Sequence, residues 1–152
     1  MYLDLTPSSN LFYGFFGKGW KKLTITTNAE DPVITFIASP KVAMGNSVWI
    51  PVGTSVSYSI SAEGYDTATG TVVVNDFTNM SVELTVTLTI NPTPSNATVV
   101  LIATGYLQEG NSITVPYGTT VVYTISADGY TTVTASMMVT STQTTEIELE
   151  PV

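Results

Sequence analysis

The chain has 152 residues, 43% hydrophobic and 11% charged, with four Lys, no Arg, no His, no Cys and a formal net charge of −8. The missing Cys and His exclude disulfides, thiolate or imidazole metal sites and nucleophilic triads built on either residue. Twelve carboxylates against four cations would repel a phosphate backbone, which argues against nucleic-acid binding.

The first 22 residues, MYLDLTPSSNLFYGFFGKGWKK, differ from the remainder of the chain. They carry Tyr2, Phe12, Tyr13, Phe15, Phe16 and Trp20, with Lys18, Lys21 and Lys22 against Asp4. So many aromatics are not left in water, and Pro7, Gly14, Gly17 and Gly19 prevent the segment from burying them as a regular amphipathic helix. The segment therefore reads as an extended docking arm for another protein. The alternatives are packing on its own neighbouring module and an interfacial membrane anchor, for which the segment lacks a segregated apolar face. A phosphate loop fails, because Phe12 and Gly19 stand where a Gly and a Ser or Thr are required. No cation precedes the apolar stretch, so it does not read as a secretory signal, and the expectation is a protein that folds in the cytosol of the cell that makes it. Nothing approaches the length of a membrane span.

From Leu23 onward the chain repeats with a period of 65 residues. Leu23-Thr24-Ile25 returns as Leu88-Thr89-Ile90, Gly45-Asn46-Ser47 as Gly110-Asn111-Ser112, and Glu83-Leu84 as Glu148-Leu149. YSISAEGYDT at 58–67 returns as YTISADGYTT at 123–132. The organisation is thus an arm (1–22), a first module (23–87) and a second module (88–152). Apolar and polar residues alternate, as along Val121-Val122-Tyr123-Thr124-Ile125-Ser126-Ala127, and Thr and Val are abundant without any sustained helical period. The chain is therefore all-β. Strands are predicted near 23–27, 33–39, 47–51, 55–62, 69–75 and 80–85, and again 65 residues later, forming one small two-sheet sandwich per module. Turns fall at Gly45-Asn46, Pro51-Val52-Gly53 and Glu63-Gly64, with their counterparts, and Pro is expected at the first corner of the Pro-x-Gly turns.

The pattern Pro-x-Gly-Thr, then Tyr-x-Ile-Ser-Ala-[Glu/Asp]-Gly-Tyr, then Glu-Leu resembles the PEGA-like and related Ig-like surface modules, across 23–152 but not the arm. The Pro-Glu-Gly-Ala stretch itself is met only loosely, by Thr93-Pro94-Ser95-Asn96-Ala97. The resemblance implies tandem Ig-like sandwiches with a spacer or display role, as in bacteriophage decoration or fibre proteins and bacterial surface proteins, and no reaction. At the junction, Glu83 to Ile90 contains neither Gly nor Pro, which predicts one strand running into the next and a stiff pair of modules.

The two copies serve as controls for each other. Trp49 aligns with Thr114 and lies between the inward Val48 and Ile50, which predicts an outward, exposed Trp that contacts a protein or the other module, with plain partial burial or stacking on a sugar as the alternatives. Tyr117, opposite Val52, and Tyr106, opposite Lys41, are further surface candidates. Glu146, Glu148 and Glu150 alternate on one strand and read as edge protection rather than a catalytic pair. Calcium at Glu30-Asp31 is disfavoured because the second copy has Ser95-Asn96 there, and no catalytic, metal or cofactor residue is assigned.

The functional expectation is a non-enzymatic virion protein, a phage head or tail decoration or fibre. Many copies, or a homo-oligomer, would be anchored to a capsid or other virion protein through residues 1–22. The alternative is a bacterial surface or secreted adhesin that binds glycans through Trp49.

Overall fold

The computed structural model describes residues 19–152, which contain fourteen strands and no helix. The chain divides into two compact units, the first formed by residues up to Ser61 with Thr67–Val82, the second by Ala62–Asp66 with Glu83–Val152.

The first unit holds β1 (Trp20–Thr27), β2 (Val33–Ile37), β3 (Val42–Met44), β4 (Ser47–Pro51), β5 (Thr54–Ser61), β6 (Ala68–Val74) and β7 (Thr78–Val82). They form a four-stranded sheet, β3-β4-β1-β7, and a three-stranded sheet, β2-β5-β6. Within the four-stranded sheet β1 runs antiparallel to β4 and parallel to β7, with Leu23 beside Thr78 and Ile25 beside Met80. Alternation puts Leu23, Ile25, Val48 and Ile50 of one sheet, and Phe36, Val56, Ile60 and Val74 of the other, out of water.

The second unit repeats this plan. β8 (Thr85–Thr93), β9 (Thr98–Ile102), β10 (Gln108–Glu109), β11 (Ser112–Pro116), β12 (Thr119–Ser126), β13 (Val133–Val139) and β14 (Gln143–Glu148) form the sheets β10-β11-β8-β14 and β13-β12-β9. β8 is again parallel to the last strand, β14. One apolar cluster joins the sheets: Val86, Leu88, Ile90, Ile113 and Val115 meet Val99, Leu101, Val121, Ile125 and Val139, and Leu149 completes it. Each such side chain, fully buried, contributes roughly 1.5–3 kcal/mol relative to exposure.

The all-β, two-sheet expectation holds, with two local differences. The Pro-x-Gly turns place Pro51 and Pro116 as the last residues of β4 and β11, so Val52 and Tyr117 take the first corner. Gly53 and Gly118 take the second at φ of 80° and 81°, a region costly for any residue with a Cβ. At the junction, β7 ends at Val82 and β8 begins at Thr85, so Glu83 and Leu84 interrupt the expected continuous strand.

The turn Ala62–Asp66, which comes after β5 in sequence, belongs to the second unit. The Asp66 amide donates to the Thr85 carbonyl at 2.9 Å, and the Thr142 amide to the Gly64 carbonyl at 2.7 Å. The Asp66 carboxylate accepts the hydroxyls of Thr87 at 2.7 Å and Thr142 at 2.8 Å. Because the Thr87 hydroxyl has a single proton and gives it to Asp66, Thr114, 2.8 Å away, donates to Thr87. The Thr142 hydroxyl in turn accepts the Thr87 amide at 3.0 Å, so every donor points along the chain toward the carboxylate. Asp66→Ala leaves both threonines without their acceptor; a loss of about 1–3 kcal/mol is expected. Denaturant unfolding followed by fluorescence measures it, with an Asp128→Ala variant, in the other copy's turn, as the reference.

Candidate functional surfaces

The position that receives Asp66 is built twice. Subtracting the 65-residue period from Thr87, Thr114 and Thr142 gives Lys22, Trp49 and Phe77. In the second unit the outer face of the four-stranded sheet is a hydroxyl ladder: Thr87 bonds Thr114, and Thr89 bonds Ser112 at 2.8 Å. In the first unit the corresponding cross-strand pair is Lys22 with Trp49, and only the pair Thr24 with Ser47, at 3.0 Å, keeps its hydroxyls. The same backbone thus presents a polar site in one copy and an aromatic one in the other.

Trp49 is 2% exposed, which overturns the expected solvent-facing Trp. The alternation assigned it to the correct face, opposite to Val48 and Ile50, but alternation does not report whether that face is wet. Ser47, on the same face of β4, is also buried. The Phe77 ring meets Trp49 edge to face, with centroids 5.6 Å apart and planes at 85°. Lys21 sits over Phe77, its Nζ 5.0 Å from the ring centroid, and bonds Asp76 at 3.2 Å. A sugar has no bare Trp49 ring to stack on.

Asp76 itself is exposed. The amide of Phe77, bonded to its carboxylate at 2.8 Å, and then Lys21 hold its carboxyl below the usual range. A depressed folded-state pKa gives stability above the unfolded value of about 3.9, and that stability is lost as pH falls through the folded value.

Of the proposed docking aromatics, Tyr2, Phe12, Tyr13, Phe15 and Phe16 lie outside the described residues. Trp20 opens β1, half-buried and in register with Pro51. Tyr117 is 52% exposed, and its ring stacks on Tyr65 at 5.7 Å. Tyr106, 41% exposed, closes a tight turn through its amide to the Ala103 carbonyl. Trp20 and Trp49 belong to the first unit, Tyr106 and Tyr117 to the second. Glu146 and Glu148 stand exposed on β14, where Asn91 donates to Glu146 at 2.9 Å. Among the described residues no group of three or more carboxylates could hold a metal ion, and no helix is long and apolar enough to cross a membrane.

The aromatic position depends on Phe77, which sequence reasoning overlooked. Its signal was available, since Phe77 replaces Thr142 in the same alignment of copies that singled out Trp49.

Residues 85–150, spanning β8 to the chain beyond β14, match the family model described as head fiber dimeric protein-like domain. The second module is therefore similar to that domain. No curated protein matches the chain. Among solved structures, the Bacillus anthracis TIE protein aligns with 88% of this chain and 34% of its own at 13% identity and a TM-score of 0.32. The chain spans about a third of that protein's length, and a likeness of that size carries no argument about fold or function.

Trp49→Ala should destabilise the first unit by about 3–5 kcal/mol in denaturant unfolding, as for any large buried aromatic, and leave binding on a glycan array unchanged. Asp76→Asn should lower the melting temperature slightly at neutral pH, and the difference from the parent should vanish on acidification. A difference that grows toward low pH would contradict the assigned direction.

Proposed function

We propose that the chain is a non-enzymatic structural protein of a virion, a decoration or fibre protein of a bacteriophage head, attached through its N-terminal segment. The observation that carries this reading is the match of residues 85–150 to a head fibre domain. The first copy repeats the pattern of the matched one at a fixed offset, which supports a tandem array of Ig-like, PEGA-like display modules.

The attachment end is the first unit together with residues 1–22. The aromatics Tyr2, Phe12, Tyr13, Phe15 and Phe16 precede the first unit, and Trp20 opens its β1. Aromatic side chains with nearby Lys suit a protein surface that is apolar and acidic, such as a capsid protein rim. The second module, with five carboxylates and no Lys, does not offer the aromatic and Lys side chains that such a surface would take.

Antibody raised to the full chain, applied to particles purified from cells that produce the chain, should label virions in electron micrographs. The full-length variant Phe12→Ser, Phe15→Ser, Phe16→Ser should remain in the cells and be missing from the particles. Particles free of label while the cells contain the protein would refute the virion assignment. Equal labelling by the variant would refute the arm as anchor.

A further inference from the structure

The exposed apolar residues on the outer face of the second unit's three-stranded sheet are contiguous, whereas those of the first unit's, Val33, Ile37 and Val73, are set apart. On β9, Val100 is 42% and Ile102 58% exposed; on β12, Val122 is 40% exposed; on β13, Met138 is 61% exposed. Register makes them neighbours. Ile102 pairs directly with Val122, Val100 is the next outward residue on β9, and Met138 lies diagonal to Val122, beside Thr120. These four side chains form one continuous stripe across three strands.

The first unit provides the comparison. The counterparts of Val100, Ile102, Val122 and Met138 are Thr35, Ile37, Ser57 and Val73. There Ile37 faces Ser57 across the strands, Ser57 bonds Thr71 at 3.0 Å, and Thr35 faces Ser59. Its exposed apolar residues are thus isolated among hydroxyls, whereas the second copy has exchanged the separating Thr35 and Ser57 for valines. Scattered apolar side chains on a surface are ordinary, but a contiguous stripe on a sheet face marks a contact.

We propose that this stripe is a self-association surface, joining the chain to a second copy of itself face to face through Val100, Ile102, Val122 and Met138. Charge selects the partner. Glu109, Glu146 and Glu148 lie on strands of the opposite, four-stranded sheet, and β9, β12 and β13 carry no charged residue. Asp128 lies in the turn after β12, beyond the strand end remote from Met138, so two copies of an acidic module meet fewer opposing carboxylates through the three-stranded sheet than through the other. A patch that pairs with its own copy about a two-fold axis needs only self-complementarity, which a uniform aliphatic stripe has. The choice of a second copy also rests on the head-fibre reading, since the matched family is by its printed name dimeric and the stripe lies wholly within the matched residues.

One face of a three-stranded sheet is a small interface, so the dimer is expected to be weak and to exchange with monomer. Many copies fixed on one assembly would strengthen it through their high local concentration.

Sedimentation velocity of the full chain over a wide concentration range tests the proposal. The parent should shift from monomer toward dimer as concentration rises. Ile102→Glu and Val122→Glu, both at exposed positions, should stay monomeric with melting temperatures close to the parent's, and Ile37→Glu in the first copy should associate like the parent. A parent that is monomeric throughout, or variants at 102 and 122 that associate like it, would overturn the surface. The two readings fail separately. Dimerisation through the stripe without particle labelling removes the virion assignment only, and labelled particles with no effect of Ile102→Glu and Val122→Glu on self-association remove the stripe only.

Discussion

The pairing of the first and last strands of each copy, parallel to one another, is the constraint on which the rest of the molecule depends. β1 with β7 and β8 with β14 put the two ends of a copy of about 65 residues into the same sheet. A module of that size has little core, and this one has no disulfide or thiolate metal site to assist it. Bringing both ends of the copy together makes the four-stranded sheet wide enough to cover the three-stranded one. Leu88 and Ile90 on β8 reach the same cluster as Leu149, just past β14. Side chains on the outer faces are then free to vary without touching the core.

That freedom is what distinguishes the copies. Their inner faces use almost interchangeable Leu, Ile and Val, and their turns use the same glycines. Their outer faces diverge in two places: the four-stranded sheet carries hydroxyls in the second unit and Trp49 with Phe77 in the first, and the three-stranded sheet carries a contiguous aliphatic stripe in the second and Val33, Ile37 and Val73 spaced among hydroxyls in the first. Duplication gives a stable frame twice, and the differences lie on the outer faces of the sheets. The second unit also uses its hydroxyl site internally, holding the Asp66 carboxylate with Thr87 and Thr142.

The all-β class, the repeat, the positions of the main strands and the glycine turns were all legible in the sequence. They arise from period-two alternation and from Gly chemistry, both local properties. The short strands β3 and β10 were not legible, because three and two residues give no alternation to detect. Trp49 was misread for a related reason: its neighbours reveal which face it takes, but its exposure depends on residues distant in sequence, such as Phe77 28 positions later. The assignment of Ala62–Asp66 to the second unit was equally hidden, since it rests on Asp66 meeting Thr87 and Thr142, contacts that span 21 and 76 residues. The same comparison of copies that erred on exposure at Trp49 is nevertheless what identifies both divergent surfaces.

Amide hydrogen exchange of the full chain, read residue by residue, tests the closing role of the parallel pair most directly. Amides in the β8–β14 ladder should exchange only through opening of the whole second unit, at the same free energy as those of β12 in the sheet opposite. If the β14 amides exchanged much faster than those of β12, the last strand would be an appendage to the sandwich, and the account of how so small a core is held would be wrong.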